Sequence, residues 1–268
     1  MIGIFDSGYG GLTILSKIRQ TLPEYNYLYL GDNARAPYGT RSFDVIYEYT
    51  LQAVNYLHQQ GCNLIILACN TASAKALRTI QQRNINPNEL RVLGVIRPTV
   101  EIIPSHTLTK HVGVLATPGT VASESYTIEL LKQDPGLIIT QQACPMWVPL
   151  IEANEHLSEG ANYFVDKYLT ELLSRDPKID TIILGCTHYP LLIPKIKTHL
   201  SKKHPSVSII SQGEIVANSL QDYLRRHPEF QQELGGTCTY LTTESADKFR
   251  ESASQFLSES IQATHIEL

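Results

Sequence analysis

Charge is sparse in this 268-residue sequence. Asp, Glu, Lys and Arg make up 18% of it, against about 25% in an average globular protein. A natively disordered chain, which needs high charge and few apolar residues, is excluded. The net charge of −4 and pI near 6.1 leave no basic excess for nucleic-acid binding. The five cysteines (Cys62, Cys69, Cys144, Cys186 and Cys238) include no Cys-x-x-Cys pair. That spacing and the odd number argue against a disulfide framework and a zinc ribbon alike. Apart from the Cys186-Thr187-His188 step no His and Cys are read as standing at metal-site spacing, and alone that step does not indicate a metal. Apolar runs stop after about six residues, whereas crossing a bilayer takes about 20, so no membrane partner is expected. Met1 leads straight into Ile2-Gly3-Ile4-Phe5-Asp6 without a basic region, so no secretory leader is expected. The expectation is a cytoplasmic protein with reduced thiols, free to act as reagents.

What is present points to an α/β fold. At roughly 150 residues per domain, the length suits one large domain or two modest ones. Residues 2–5, 27–30, 64–68, 92–96, 112–116, 181–184 and 207–210 are continuous apolar or Tyr-rich runs. Strands buried on both faces of a parallel sheet read this way. Phe43, Ile46, Tyr49, Ala53, Tyr56 and Leu57 recur at helical spacing, opening near Thr40 or Ser42 and stopping at Gly61. An internal echo is also visible. Ile2-Gly3-Ile4-Phe5 resembles Val112-Gly113-Val114-Leu115 at an offset of 110 residues, and Leu64-Ile65-Ile66-Leu67-Ala68-Cys69 resembles Thr181-Ile182-Ile183-Leu184-Gly185-Cys186 at an offset of 117. Two elements recurring in one order predict two related α/β domains with mostly parallel sheets, 1–91 plus 205–268 and 92–204. Residues 244–261 predict a closing surface helix.

The echo places Cys69 and Cys186 in matched settings, each after a buried strand and before a predicted helix. Ligands of open α/β sheets collect at the carboxyl ends of strands. A helix N-terminus there favours a thiolate and binds carboxylates. The bland alternative is that free cysteine is simply a buried residue type. Asp6-Ser7-Gly8-Tyr9-Gly10-Gly11 follows the first strand but lacks a dinucleotide fingerprint, and no Walker Lys follows. Pro37-Tyr38-Gly39 reads as a turn. Cys62, Cys144 and Cys238 have no matched settings and are expected to pack.

Phe5-Asp6-Ser7-Gly8-Tyr9-Gly10-Gly11, Pro37-Tyr38-Gly39, Ala68-Cys69-Asn70-Thr71-Ala72, Pro149-Leu150-Ile151-Glu152 and Gly185-Cys186-Thr187-His188-Tyr189-Pro190 together resemble the motifs of bacterial glutamate racemases in order and spacing. The likeness spans nearly the whole chain. It implies two pseudo-symmetric domains facing a cleft, one catalytic cysteine on each side, and no pyridoxal phosphate, metal or nucleotide. By that resemblance Cys69 and Cys186 are the catalytic thiols, assisted by Asp6 beside the first and by His188 with Glu152 beside the second. Ser7, Tyr38, Gly39, Asn70, Thr71 and Thr187, with Asp6 and His188, are the implied glutamate contacts, and Thr117 echoes Ser7. D-glutamate for peptidoglycan is the implied product and a homodimer the expected assembly. One departure is Ser211-Gln212-Gly213, where the family often has Asp-Ser-Gly; it is expected to lie outside the catalytic motifs. A racemase of aspartate or another acidic amino acid, a thiol hydrolase built on Cys186 and His188, and a non-catalytic amino-acid-binding module are the alternatives.

Overall fold

The computed structural model describes residues 1–230, 234–257 and 259–268. Its strands are β1 (Ile2–Asp6), β2 (Tyr27–Gly31), β3 (Leu64–Leu67), β4 (Arg91–Gly94), β5 (His111–Ala116), β6 (Ile138–Ala143), β7 (Thr181–Gly185), β8 (Ser208–Ile210), β9 (Cys238–Thr242) and β10 (Ala263–His265). They form two sheets, ordered β10-β9-β2-β1-β3-β4 and β6-β5-β7-β8. Every pairing between these strands is parallel. Successive residues of the central strands feed opposite layers. Ile2, Ile4, Leu64 and Ile66 pack on one face of the first sheet, and Phe5, Ile65 and Leu67 on the other. Val112, Val114 and Ile183 oppose Leu115, Ile182 and Leu184 in the second. With helices on both faces, each side chain needs to be apolar, so the runs are continuous rather than alternating.

The order β2-β1-β3-β4 repeats as β6-β5-β7-β8. β1 therefore corresponds to β5 and β3 to β7, the two pairs that echo in sequence. The domain boundaries expected at 91/92 and 204/205 need correction. Arg91 to Gly94 pair with Leu64 to Leu67 in the first sheet, and Ser208 to Ile210 pair with Thr181 to Ile183 in the second. The chain thus crosses after Gly94 and returns after Ile210. Apolar strands look alike on either side of a crossing, so the sequence alone misplaced both.

The helix Phe43–Gln59 matches its expected span and ends before Gly61, whose φ of +88° suits glycine. The expected helix over 244–261 is shorter. It spans Ala246–Ala253 and is a crossover between the parallel strands β9 and β10. Its Phe249 is fully buried, with Tyr9 and Tyr29 rings 5.4 and 6.2 Å away. Among the described residues no helix is long and apolar enough to cross a membrane.

Candidate functional site

Ser7, Cys69, Thr117 and Cys186 stand just past the carboxyl ends of β1, β3, β5 and β7, and all four line one cavity between the sheets. Tyr38, Gly39, Asn70, Thr71, Glu152, Thr187 and His188 complete the expected set on its wall. Asp6 is the exception: it is 1% exposed and not among the lining residues.

The two cysteines are buried but differently supported. Cys69 caps the helix Asn70–Lys75, its Sγ accepting from the Ala72 amide at 3.4 Å and lying 3.3 Å from Ser7 Oγ. That helix has only six residues, too short to gather a strong dipole at its end. Burial, reinforced by the Asp6 carboxylate, pushes the thiol up to about 12 against the Ser7 hydroxyl and Ala72 amide. The Ala72 amide acts in the direction expected of a helix N-terminus, but burial and Asp6 outweigh it at Cys69. The helix expected directly after Cys186 is also displaced, since a 3-10 turn, Tyr189–Leu192, precedes the helix Ile193–Lys203. Cys186 has instead the imidazole of His188, with Nδ1 3.8 Å from Sγ. On the far side of the ring, Nε2 lies 2.9 Å from Glu152 Oε1. Burial alone would pull His188 down, but its bonds to Cys186 and Glu152 and their charges outweigh it and hold the imidazolium up to about 10.

Asp6 sits beside this chain of groups. Its Oδ2 accepts from the Gly8 amide at 3.0 Å, while Oδ1 has no hydrogen-bond partner. Burial raises its carboxyl, opposed by the charge of His188 and by the amides of Gly11 and Gly8. The glycines of this turn are dictated by close approach. A Cβ on Gly10 would lie 2.4 Å from His188 Nδ1 and 2.5 Å from Thr187 Oγ1. Both groups are buried and His188 is bonded on both sides, so neither yields cheaply. We expect Gly10→Ala to lower kcat roughly a hundredfold, the cost of about 1 Å of misplacement, with folding retained. Steady-state rates measured with thermal melts check this; an unchanged kcat contradicts the packing argument.

The remaining wall is neutral. Among the described residues no Lys or Arg lines the cavity, so recognition of a carboxylate falls to hydroxyls, amides and His188. Tyr38 commits its hydroxyl to buried Asp32, which Arg35 Nε also pairs with at 2.7 Å. Gly39 then offers backbone, and its carbonyl accepts from the Gly119 amide at 2.7 Å. Thr71 Oγ1 lies 2.9 Å from Thr117 Oγ1, joining the two halves across the site. Among the described residues no group of three or more His, Cys, Asp and Glu side chains is placed to hold a metal ion.

Three contributors escaped the sequence reading. Cys144, expected only to pack, lines the cavity just past β6. β6 is a partly exposed edge strand carrying Thr140, Gln141 and Gln142, which hid its apolar signal; its equivalence to β2 was the clue available. Phe256 lies beyond the last helix, its ring edge-on to His188 at 5.6 Å. Gln212, expected to lie apart from the site, accepts from Asn70 Nδ2 at 2.6 Å.

Residues 3–220 match the family model described as Asp/Glu/hydantoin racemase. The chain is 42% identical over 266 residues to a glutamate racemase of Ruegeria sp. (strain TM1040), with 96% of each chain covered. Among solved structures, a glutamate racemase isoform from Bacillus anthracis is 34% identical with a TM-score of 0.91, covering 100% of this chain and 97% of that one. A glutamate racemase from Francisella tularensis subsp. tularensis SCHU S4 in complex with D-glutamate is 30% identical with a TM-score of 0.88, covering 99% and 97%.

Proposed function

The chain belongs to the Asp/Glu/hydantoin racemase family, and on that premise we propose that it interconverts L- and D-glutamate without a cofactor, Cys69 and Cys186 serving as paired acid and base. The observation that carries this reading is the placing of two buried thiols past equivalent strands, β3 and β7, on one cavity. Inversion at an α-carbon requires that a proton leave one face and another arrive on the opposite face. A single base tends to return the proton to the face it came from. Two thiols, one ionised and one protonated, avoid this and exchange states with each turnover.

The two thiols have unequal surroundings. Cys69 is held as a thiol by burial and Asp6, whereas Cys186 faces the imidazolium of His188, itself anchored by Glu152. In one direction Cys186 is the base and Cys69 the acid, and in the other the roles are exchanged. When the Cys186 thiolate takes the α-proton, the bond electrons pass into the α-carboxylate, and the Cys69 thiol delivers its proton to the other face.

An α-proton is a far weaker acid than a free thiol of pKa about 8.5, so the site has to stabilise the developing charge. Asn70, Thr71 and Thr187 supply neutral donors for the α-carboxylate as it gains enolate character. Ser7 accepts from the α-ammonium, and the backbone at Tyr38-Gly39 holds the side-chain carboxylate. Asp6, off the cavity wall, acts through Cys69 and the Ser7 turn. The D-glutamate formed supplies peptidoglycan synthesis in the cytoplasm.

Circular dichroism on a panel of amino acids tests the substrate. Glutamate of either hand should relax to zero ellipticity, and aspartate far more slowly. Turnover of aspartate without turnover of glutamate would refute the assignment.

A further inference from the structure

Asn70, Gln212 and Tyr126 form a closed ring of side-chain hydrogen bonds. Asn70 Nδ2 donates to Gln212 Oε1 at 2.6 Å, Gln212 Nε2 donates to Tyr126 Oη at 3.0 Å, and Tyr126 Oη donates to Asn70 Oδ1 at 2.8 Å. All three residues are buried, at 2, 2 and 0% exposure. The second N–H of Gln212 faces Thr99 Oγ1 at 3.0 Å and the Val95 carbonyl at 3.2 Å. The ring spans the molecule's joints. Asn70 follows β3 on the cavity wall, Tyr126 belongs to a helix of the second half, Val95 directly follows the first crossing and Gln212 lies just past the second.

We infer that Gln212, with Tyr126, is a positioning residue that fixes the Asn70 amide for substrate. A side-chain amide has two faces of similar shape, and either can turn toward a cavity. Here Tyr126 occupies Oδ1 and Gln212 takes one N–H, so the remaining N–H of Asn70 is the group left for a carboxylate. A flipped amide would oppose two oxygens at Gln212 and leave Tyr126 facing a donor. Because each member both donates and accepts, the ring resists breaking at any one point. Its seat at both crossings also makes the Asn70 donor depend on how the two halves sit together. Neither Gln212 nor Tyr126 lines the cavity, so both act only through Asn70.

The inference rests on Asn70 being a glutamate contact, and a double-mutant cycle separates the two claims. Gln212→Met keeps the volume and removes the hydrogen bonds. Tyr126→Phe removes the donor to Oδ1 and the acceptor for Gln212 Nε2 while leaving the bond between Asn70 and Gln212, and serves if Gln212→Met does not fold. Each should lower kcat/KM for glutamate roughly threefold to tenfold, the weight of a hydrogen bond or two, mainly through KM. In an Asn70→Ala background the same changes should have almost no further effect. Equal losses in both backgrounds would overturn the positioning role, because a merely structural residue acts whether or not Asn70 is present. An unchanged KM in Asn70→Ala alone would instead remove the substrate contact on which the inference rests.

Discussion

Replacing Cys69 or Cys186 with alanine is expected to lower kcat/KM roughly a thousandfold or more for both enantiomers, within the range attributed to a single proton-transfer group. The symmetry of the loss is the informative part. Each thiol serves one face, yet every turnover uses both, so deleting either stops both directions. For the same reason the double variant should fall no further than the worse single one. Serine at either position keeps the shape of the side chain but offers a far weaker acid, and its loss should approach that of alanine. Both thiols are buried, so thermal melts are needed to separate lost chemistry from lost packing. Racemisation that survives in either alanine variant would dismiss the paired-thiol account.

The second large effect concerns the charge beside Cys186. His188 is buried, which favours its neutral form, but Cys186 and Glu152 bond both ring nitrogens and hold the imidazolium up to about 10. We therefore expect kcat/KM to fall as pH rises through about 10, where the proton that steadies the Cys186 thiolate is lost. Glu152→Gln removes one of the groups raising the imidazolium, so this limb should move to lower pH. His188→Asn should lose the limb and about a hundredfold in rate. Stability carries the same sign. A folded-state value above the unfolded 6.5 contributes stability that is complete below pH 6.5 and lost as pH rises toward 10. Rate profiles of the wild type and Glu152→Gln check this, and an alkaline limb that moves upward in the variant would contradict it.

Much of this arrangement was legible in the sequence. Continuous apolar runs such as Leu64 to Leu67 identified strands buried on both faces, and the two strand-Cys echoes identified the pair of thiols. The hidden parts share a physical origin in exposure and distance. β6 is an exposed edge and needs no apolar pattern, so the loop carrying Cys144 lost its marker. The difference between the thiols is also invisible in the chain. Cys69 and Cys186 end matched strands, but one receives a capping amide and a nearby carboxylate while the other receives an imidazole. Gln212 reaches Asn70 across 142 positions of sequence, a contact that no local pattern encodes.

Deuterium incorporation during a single approach to equilibrium tests the central claim most directly. L-glutamate is converted in deuterated water, and the α-position of both enantiomers is followed by NMR at low conversion. Two thiols on opposite faces predict D-glutamate that carries deuterium from its first appearance, beside L-glutamate that still carries protium. Deuterium entering both enantiomers at equal early rates, or D-glutamate retaining the original proton, would point to one mobile base and contradict the pairing of Cys69 with Cys186.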